Sequence, residues 1–222
     1  MKVSIEQIGR EREPLVVIDD FAADPDALRA FAIGAQFGPA AHYYPGIRAP
    51  LPGDYLPTQL RGIATVLSDA FGWPGPVDVI DASYSIVTTP PADLAVGQRL
   101  PHCDAHARGR IALIHYLSDD SDGTAFFRHR STGFETVDER RAGVYTDQLA
   151  AELRHGGPPP AAYIAGDTPL FERTIVAEAR YNRALVYRSC LLHSGAIAPD
   201  APLSPDPATG RLTITGFLSI GE

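Results

Sequence analysis

Arg110-Ile-Ala-Leu-Ile-His-Tyr-Leu-Ser118 follows soon after His102-Cys103-Asp104, and these two stretches decide the predicted fold class. The longer stretch is an apolar run of strand length, rich in β-branched and aromatic residues. It is bounded by Gly109 and by Asp119-Asp120, which predict turns. In the shorter stretch, strand geometry would point His102 and Asp104 to one face, where both could reach one metal ion. A His-x-Asp motif without context is weak, because it more often marks a solvated turn or a hydrogen-bonded pair.

Three further segments supply that context. Asp122-Gly123-Thr124-Ala125-Phe126-Phe127 predicts a turn followed by a short strand. The segment from Asn182 to Gly195 predicts a strand that runs into His193. The segment Arg211-Leu-Thr-Ile-Thr-Gly-Phe-Leu218 alternates polar and apolar residues, so one of its faces is polar.

His193 is the candidate for a third metal ligand from a distant strand. Together with His102 and Asp104 it makes two histidines and one carboxylate. Such a set leaves three coordination positions open, which is the pattern of iron(II) oxygenases. Neutral imidazoles and a single carboxylate suit Fe(II) and neutralise its charge only in part.

The region from about Tyr84 to Leu218 resembles the double-stranded β-helix core of the iron(II)- and 2-oxoglutarate-dependent oxygenases, and within them the prolyl-hydroxylase branch. That family carries His-x-Asp, a strand ending in Tyr-Leu-Asn, Gly-Gly before a short strand, a strand led by Asn-Arg, a distal His, and Arg or Lys on the last strand. The matching elements occur here in the same order and are His102-Cys103-Asp104, Tyr116-Leu117-Ser118, Asp122-Gly123, Asn182-Arg183, His193 and Arg211. The resemblance covers about 60% of the chain, and the ordered set is more specific than any one motif.

The resemblance implies a metal centre and a reaction. His102, Asp104 and His193 would bind Fe(II), and the co-substrates would be 2-oxoglutarate and O2. The implied reaction converts 2-oxoglutarate to succinate and CO2 and hydroxylates an amino acid, a peptide or a protein side chain. We expect hydroxylation rather than halogenation, because a halogenase would need Gly or Ala in place of Asp104.

The resemblance also implies a co-substrate site. Arg211 would pair with the far carboxylate of 2-oxoglutarate, since a guanidinium binds a carboxylate through two parallel hydrogen bonds. Tyr116 would hydrogen-bond the same carboxylate, and Thr215 matches a position that helps to hold it. Tyr84 lies where some relatives place a second tyrosine for the co-substrate.

The chain departs from the family pattern in two places. His193 and Arg211 are farther apart than in relatives, and the Pro-rich residues 199–210 between them predict an inserted surface loop. Asp122-Gly123 replaces Gly-Gly. Because of the first departure, Arg183 and Arg188 compete with Arg211 for the co-substrate role.

Two alternatives from other functional classes stay open. His102-x-Asp104-x-His106 could form a hydrolytic zinc cluster, although this leaves Arg211 and Tyr116 without a role. We favour a place for His106 at the rim of the site. The other alternative is a non-catalytic jelly-roll binding protein, which would turn over no co-substrate.

The remaining histidines and cysteines receive structural predictions. His115 has the opposite strand parity to Tyr116 and is predicted to pack in the core. His42, His129 and His155 are predicted to be solvated. Cys103 and Cys190 are predicted to be free thiols, because their placement does not indicate a disulfide framework.

Composition limits the partners and the compartment. The net charge of −8 argues against a general nucleic-acid or anionic-membrane surface, and the partner is predicted to be a small-molecule, peptide or protein substrate. Arg128-His-Arg130 and Arg140-Arg141 are predicted to be a solvated face. No apolar run reaches membrane-spanning length, and residues 1–7 lack the apolar stretch of a signal peptide. Two cysteines without an export signal predict a reducing cytoplasm. The oligomeric state has no sequence signal.

The predicted architecture is mainly β, a double-stranded β-helix (jelly-roll, cupin-like) core with supporting N-terminal α-helices. Residues 1–222 would form one domain, with helical support over 1–75, the core over 76–222, and a lid or interaction surface at 138–170. Within it, we expect a strand at Leu15–Ile18, a loop at Gln36–Asp54 whose His42–Gly46 stretch could line the substrate rim, and a strand at Val77–Val87. The predicted helices are Pro25 to about Ile33 capped by Asp24, Thr58 to Phe71 capped by Thr58, and Gly143–His155.

Overall fold

The computed structural model describes residues 1–40, 44–73, 75–118 and 123–220. His42 and Tyr43 of the predicted rim, the bounding pair Asp119-Asp120, and Asp122 of the Asp-Gly turn lie outside these residues. The helices are α1 (Pro25–Gly34), α2 (Tyr55–Phe71) and α3 (Ala142–Gly156). The strands are β1 (Lys2–Ile8), β2 (Glu13–Asp19), β3 (Gly38–Pro39), β4 (Gly46–Ala49), β5 (Val77–Val87), β6 (Arg110–Tyr116), β7 (Thr124–His129), β8 (Phe171–Ala177), β9 (Ala184–Arg188), β10 (His193–Gly195) and β11 (Leu212–Ile220).

Two antiparallel sheets face each other. The larger sheet has the order β1-β2-β9-β6-β11-β5-β4-β3, and the smaller has the order β10-β7-β8. A single antiparallel β-bridge pairs His102 with His193, so the segment with His102 and Asp104 lies beside β10. Between the sheets, Tyr116 and Leu185 of the larger pack with Phe126 of the smaller in one apolar cluster. The predicted mainly β, jelly-roll fold class with N-terminal helices is confirmed.

Side chains along β11 alternate between two faces of the larger sheet. One face packs in the core under the helices, and the other faces the space between the two sheets. Leu212, Ile214 and Leu218 belong to the main apolar core, which also contains the inner face of α2. Thr213 and Thr215 point to the opposite face, as the two-residue period of a strand requires. Helices α1 and α2 therefore cover one face of the larger sheet and leave its other face for the smaller sheet.

The helix starts agree with the sequence for α1 and not for α2. Asp24 caps α1 by accepting a hydrogen bond from the backbone N–H of Ala27 at 2.9 Å. Helix α2 begins at Tyr55, three positions before the predicted cap Thr58, whose N–H already bonds Asp54 within the helix. Pro57 lies in the first turn of α2, where a proline removes only an N–H that has no partner in the helix.

The predicted loop at residues 36–54 contains two strands instead. Strand β4 pairs with β5 in the register Gly46 to Val87 and Ala49 to Tyr84. A Cβ on Gly46 would lie 1.9 Å from the carbonyl oxygen of Ile86, so this close approach requires glycine. The Gly- and Pro-rich composition concealed the strand, because four residues are too few to show a period.

The prediction of a solvated face is wrong for His129, Arg128 and Arg141. Arg130 and Arg140 are exposed, as predicted. His129 is fully buried, with Nδ1 at 2.9 Å from Thr132 Oγ1 and Nε2 at 2.8 Å from Glu152 Oε2. Arg128 pairs with Glu172, and Arg141 donates to Glu11 at 2.7 Å. These partners come from α3, β8 and the N-terminal hairpin, which the local sequence around His129 does not reveal. In contrast, Cys103 and Cys190 are free thiols, as predicted.

No helix within the described residues is both long enough and apolar enough to cross a bilayer.

The N-terminal helices contain one buried and one exposed isoleucine, which form a matched pair for mutation. Ile63 in α2 is fully buried, whereas Ile33 in α1 is 56% exposed. We expect Ile63→Ala to lower the free energy of unfolding by about 2–5 kcal/mol, because it removes buried methylenes and leaves a void. Ile33→Ala should change it by no more than about 0.5 kcal/mol. Urea denaturation of both variants measures the difference, and equal losses would contradict the packing of α2 on the sheet.

His115 lies in the core, as predicted, within a hydrogen-bond chain. Its Nδ1 is 2.7 Å from the Tyr55 hydroxyl and its Nε2 is 3.0 Å from Asn182 Oδ1. Since the amide oxygen can only accept, Nε2 carries the proton and Nδ1 accepts from Tyr55. Burial lowers the pKa of His115 to about 4.

Acid should therefore destabilise the protein through His115. Between the unfolded pKa of 6.5 and the folded pKa of about 4, the unfolded chain binds a proton that the folded chain excludes. The free energy of unfolding should fall by about 3 kcal/mol over that window as the pH is lowered. The check is urea denaturation at pH 7 and pH 4.5 for the wild type and His115→Gln. The variant should lose this part of the pH dependence, and an unchanged slope would contradict the assignment.

Candidate metal centre

His102, Asp104 and His193 come together at one end of the space between the sheets. His102 Nε2 lies 3.7 Å from Asp104 Oδ1, and His193 Nε2 lies 3.4 Å from Asp104 Oδ2. One potential ligand atom from each residue lies within 4.8 Å of the others. The two nitrogen–oxygen separations allow one ion to be shared, since two ligands each about 2.1 Å from an ion lie at most about 4.2 Å apart.

Backbone hydrogen bonds hold the three residues in place. The N–H of His102 donates to the carbonyl of His193 at 2.9 Å, and the reciprocal bond has the same length. The N–H of Asp104 donates to the carbonyl of Ser189 at 2.8 Å. The two segments are about ninety positions apart in the sequence, and this pairing brings their side chains to one point.

A hydrogen bond from Nδ1 of His193 fixes the tautomer of its ring. Nδ1 lies 2.9 Å from the carbonyl oxygen of Leu191, which can only accept, so Nδ1 carries the proton. Nε2, the atom that faces Asp104, is left with its lone pair. An outer hydrogen bond of this kind orients a metal-binding histidine. Tyr187 adds an edge-on ring contact at 4.9 Å.

His102 is also held in the neutral form. Desolvation by the surrounding protein and the nearby His193 ring lower the pKa of His102 to about 4. About half of its side-chain surface is open, and this surface faces the cavity described below. A neutral imidazole keeps the lone pair that metal binding needs.

His106 is separate from this cluster. Its Nδ1 lies 2.7 Å from the carbonyl oxygen of Val137 and 3.6 Å from Cys103 Sγ. Among the described residues, the group that could hold a metal consists of His102, Asp104 and His193 and does not include His106. The cluster therefore matches the predicted iron ligands rather than the alternative zinc ligands.

The three residues open into a cavity of about 700 Å³ between the sheets. Arg211, Thr213 and Thr215 on or next to β11 line it, together with apolar residues such as Val87 and Ile197. A volume of this size is typical of small-molecule sites. The cavity thus joins the candidate ligands to the polar face of β11.

Arg211 extends into the cavity with unused hydrogen-bonding capacity. One terminal nitrogen donates to the carbonyl of Gly123 at 2.9 Å, and the guanidinium lies 5.7 Å from the centre of the Tyr116 ring. Its Nε is buried and has no hydrogen-bond partner among the described residues. Gly123 has φ +103°, and a Cβ there would lie 2.0 Å from the carbonyl oxygen of Ala177, so only glycine fits.

The two competing arginines are engaged elsewhere. Arg183 donates two hydrogen bonds to the carboxylate of Asp19, at 2.6 and 3.0 Å. Arg188 donates to Glu13 at 3.2 Å. Of the three candidates, Arg211 is the one that lines the cavity.

The other predicted co-substrate residues occupy different places. Thr215 lines the cavity, with its hydroxyl 2.8 Å from that of Ser85. Tyr116 is fully buried beneath Arg211, and its hydroxyl is 2.7 Å from that of Thr124. Tyr84 lies on the opposite face of the larger sheet, where its hydroxyl donates to the carbonyl of Leu28 at 2.7 Å. The structure therefore brings Arg211 and Thr215 to the cavity, places Tyr116 behind Arg211, and leaves Tyr84 in the core.

The cavity contains one arginine that has no sequence prediction, Arg48 on β4. Tyr44, which precedes that strand, belongs to the stretch that was predicted to line the substrate rim, and it lines the cavity. Tyr163 belongs to the insertion at 138–170, and its hydroxyl donates to the carbonyl of Thr89 at 2.8 Å. The insertion therefore contributes to the cavity, and its role as a lid stays a prediction. No local signal distinguishes Arg48 from other arginines in the sequence.

A jelly roll with two histidines and an aspartate beside an arginine-lined cavity defines a candidate metalloprotein. The chain belongs to DUF6445, a family of unknown function, whose model matches residues 1–218. No curated protein matches the sequence.

Solved structures with a similar fold have low sequence identity. HygX from Streptomyces hygroscopicus, solved with nickel, 2-oxoglutarate and hygromycin B, overlaps with a TM-score of 0.48 at 9% identity, over 92% of this chain and 82% of HygX. EctD from S. alaskensis with bound Fe has a TM-score of 0.46 at 12% identity, over 96% and 77% of the two chains. An N-substituted L-amino acid dioxygenase from Burkholderia ambifaria AMMD has a TM-score of 0.43 at 14% identity, over 94% and 86%. Similarity at this level does not assign an activity, which has to follow from the cavity residues.

Proposed function

We propose that this protein is an Fe(II)- and 2-oxoglutarate-dependent oxygenase of the prolyl-hydroxylase-like type, which hydroxylates an amino acid, a peptide or a protein side chain. The observation that carries the proposal is that one cavity contains both the His102, Asp104 and His193 cluster and the underused guanidinium of Arg211. A metal cluster alone fits many functions. Arg211 in the same cavity fits a co-substrate that binds the metal at one end and pairs with the guanidinium at the other.

The donor set fits Fe(II). Two imidazoles and one carboxylate supply nitrogen and oxygen ligands of intermediate softness and leave further coordination positions open. The Nδ1 proton of His193 is committed to Leu191, so Nε2 is oriented for the metal. A closed structural zinc site would need four protein ligands, and the cluster among the described residues has three.

The residues around Arg211 fit the far carboxylate of 2-oxoglutarate. The buried Nε of Arg211 needs an acceptor, and a carboxylate would supply one in the geometry that guanidinium groups favour. The Thr215 hydroxyl lies on the same face of β11 and can donate to the same group. Tyr116 would act by supporting Arg211 from behind, since its ring faces the guanidinium.

When bound, iron and 2-oxoglutarate would supply the oxidation of a substrate C–H bond to an alcohol by O2, with 2-oxoglutarate converted to succinate and CO2. The residues of the chain would bind the metal, orient the co-substrate and keep water away from the reacting atoms. His102, Asp104 and His193 would hold the metal on one side, and Arg211 would fix the orientation of the co-substrate. Apolar residues such as Ile197 and Val87 would limit the access of water to the reacting atoms.

The cavity has room for a substrate beside the co-substrate. 2-Oxoglutarate has about ten non-hydrogen atoms, which need roughly 300 Å³ if each takes the volume of a water molecule. The cavity of about 700 Å³ therefore leaves more than half of its volume for a second molecule or side chain. This supports a substrate of amino-acid or peptide-side-chain size.

The test is an anaerobic titration of the metal-free protein with Fe(II) and then 2-oxoglutarate. We expect a weak visible charge-transfer band on addition of 2-oxoglutarate, and slow formation of succinate when O2 is admitted. Glutarate, which lacks the keto group, is the matched control and should give no band. A folded, iron-loaded protein that shows no band with millimolar 2-oxoglutarate would overturn the proposal.

A further inference from the structure

Arg48 places a second guanidinium in the cavity, and the site described so far does not use it. Its side chain is only 20% exposed, and its Nε is buried without a hydrogen-bond partner within the described part of the chain. The nearest carboxylate is that of Asp81, at 4.0 Å, and the Asp81 side chain is 59% exposed. An exposed partner at this distance compensates a charge only weakly. Arg48 therefore has capacity for a ligand.

Arg48 and Arg211 lie at different positions along the cavity. The registers place Arg48 opposite Ser85 on β5, and Ser85 opposite Thr213 on β11. With neighbouring strands about 4.8 Å apart, the backbones of Arg48 and Thr213 are separated by roughly 10 Å. Arg211 lies two residues before Thr213 on the same face. The two arginines therefore enter the cavity from backbone positions that are well separated on the larger sheet.

Tyr44 lies between the two arginines. Its ring is 4.7 Å from the Arg48 guanidinium carbon. Burial raises the pKa of Tyr44, while the positive charges of Arg211 and Arg48 act in the opposite direction. The stacking fixes the plane of the Arg48 guanidinium, so that less side-chain freedom is lost when an anion binds.

The charges of the cavity leave Arg48 without a counter-charge. Asp104 is the one carboxylate among the described lining residues. An Fe(II) ion, the Asp104 carboxylate, a doubly charged 2-oxoglutarate and Arg211 cancel one another. One positive charge then remains on Arg48, and the exposed carboxylate of Asp81 at 4.0 Å compensates this charge only weakly.

We infer that Arg48 binds a carboxylate on the primary substrate and that this residue determines substrate specificity. The inference rests on the proposed function, because the charge balance assumes bound iron and 2-oxoglutarate. It restricts the substrate class to molecules that carry a free carboxylate, such as amino acids, N-acyl amino acids or the C-terminus of a peptide. A singly charged group satisfies the balance, whereas a phosphate monoester would bring nearly two negative charges.

The test is calorimetric titration of the protein loaded with Ni(II) and saturated with 2-oxoglutarate, so that no turnover is needed. The probes are pairs in which a neutral amide replaces the carboxylate: L-proline and L-prolinamide, L-leucine and L-leucinamide, and N-acetyl-L-proline and its amide. The variants are Arg48→Met, the charge-preserving Arg48→Lys, and Arg180→Met as a control at a guanidinium that is 61% exposed. The thermal midpoint of each loaded variant shows that it is folded.

We expect the wild type to bind at least one acid about tenfold or more tightly than its amide, as loss of a buried charge partner predicts. Arg48→Met should abolish that preference, Arg48→Lys should retain part of it, and Arg180→Met should retain all of it. The affinity for 2-oxoglutarate, measured separately, should be the same in wild type and Arg48→Met.

Several results would overturn the inference. These are amides that bind the wild type as tightly as the acids, a preference that survives in Arg48→Met, or no binding by any acid at millimolar concentration. Loss of 2-oxoglutarate affinity in Arg48→Met would assign Arg48 to the co-substrate site instead. If the wild type fails to bind 2-oxoglutarate at all, the proposed function fails first, and the inference falls with it.

Discussion

His193→Ala is expected to lower the affinity for Fe(II) by more than about 100-fold, which is the upper end of what loss of an outer-shell partner costs at a metal site. The reason is that Nε2 of His193 lies 3.4 Å from Asp104 and is one of only three candidate ligand atoms in the cluster. A site with two remaining protein ligands binds the ion more weakly in competition with water. The measurement is an anaerobic calorimetric titration of the metal-free protein with Fe(II), which gives the dissociation constant for the ion.

His193 is only 4% exposed, so its removal could also disturb the fold. Asp104→Asn provides a second variant at a side chain that is more open to solvent, and it should weaken Fe(II) binding as well. The circular dichroism and thermal midpoint of the metal-free forms separate loss of a ligand from loss of structure.

His106→Ala is the matched control for the metal site. It removes a histidine from the same segment, but its Nδ1 is engaged by Val137 and it lies outside the cluster. Its Fe(II) affinity should equal that of the wild type. If His106→Ala lost the metal and His193→Ala kept it, the zinc-hydrolase alternative would replace the oxygenase proposal.

Arg211→Met should raise the dissociation constant for 2-oxoglutarate by roughly 30-fold or more, which corresponds to the lower end of the cost of removing one partner of a buried charge pair. The affinity for Fe(II) should not change, because Arg211 does not belong to the ligand cluster. The measurement is the 2-oxoglutarate dependence of the charge-transfer band in the iron-loaded protein.

Two controls sharpen this prediction. Arg211→Lys retains the charge but not the forked geometry, so it should fall between the wild type and Arg211→Met. Arg183→Met removes the competing arginine that pairs with Asp19, and it should affect stability rather than 2-oxoglutarate binding. An unchanged band titration in Arg211→Met would show that the co-substrate is held elsewhere in the cavity.

The ordered motifs allowed much of the candidate site to be predicted before the structure. A strand has a period of two, so the alternation after Arg211 separates core residues from cavity residues without any tertiary information. Some residues that were predicted to bind the co-substrate do not line the cavity. Their predicted roles depended on which face of a strand points inward. Tyr84 shows this, since its strand was predicted, but only the register with β11 shows that it faces the core.

The sequence by itself predicted the jelly-roll class and the three candidate metal ligands, because its ordered motifs resemble those of the 2-oxoglutarate oxygenases. It also predicted the polar face of the last strand, which follows from local periodicity and does not depend on distant neighbours. The tertiary structure alone decided which arginine lines the cavity, and it also decided that Arg48 on β4 joins the cavity. It likewise decided that His129 is buried against Glu152. Each of these depends on contacts between segments that are far apart in the chain, and the packing of the folded protein creates those contacts.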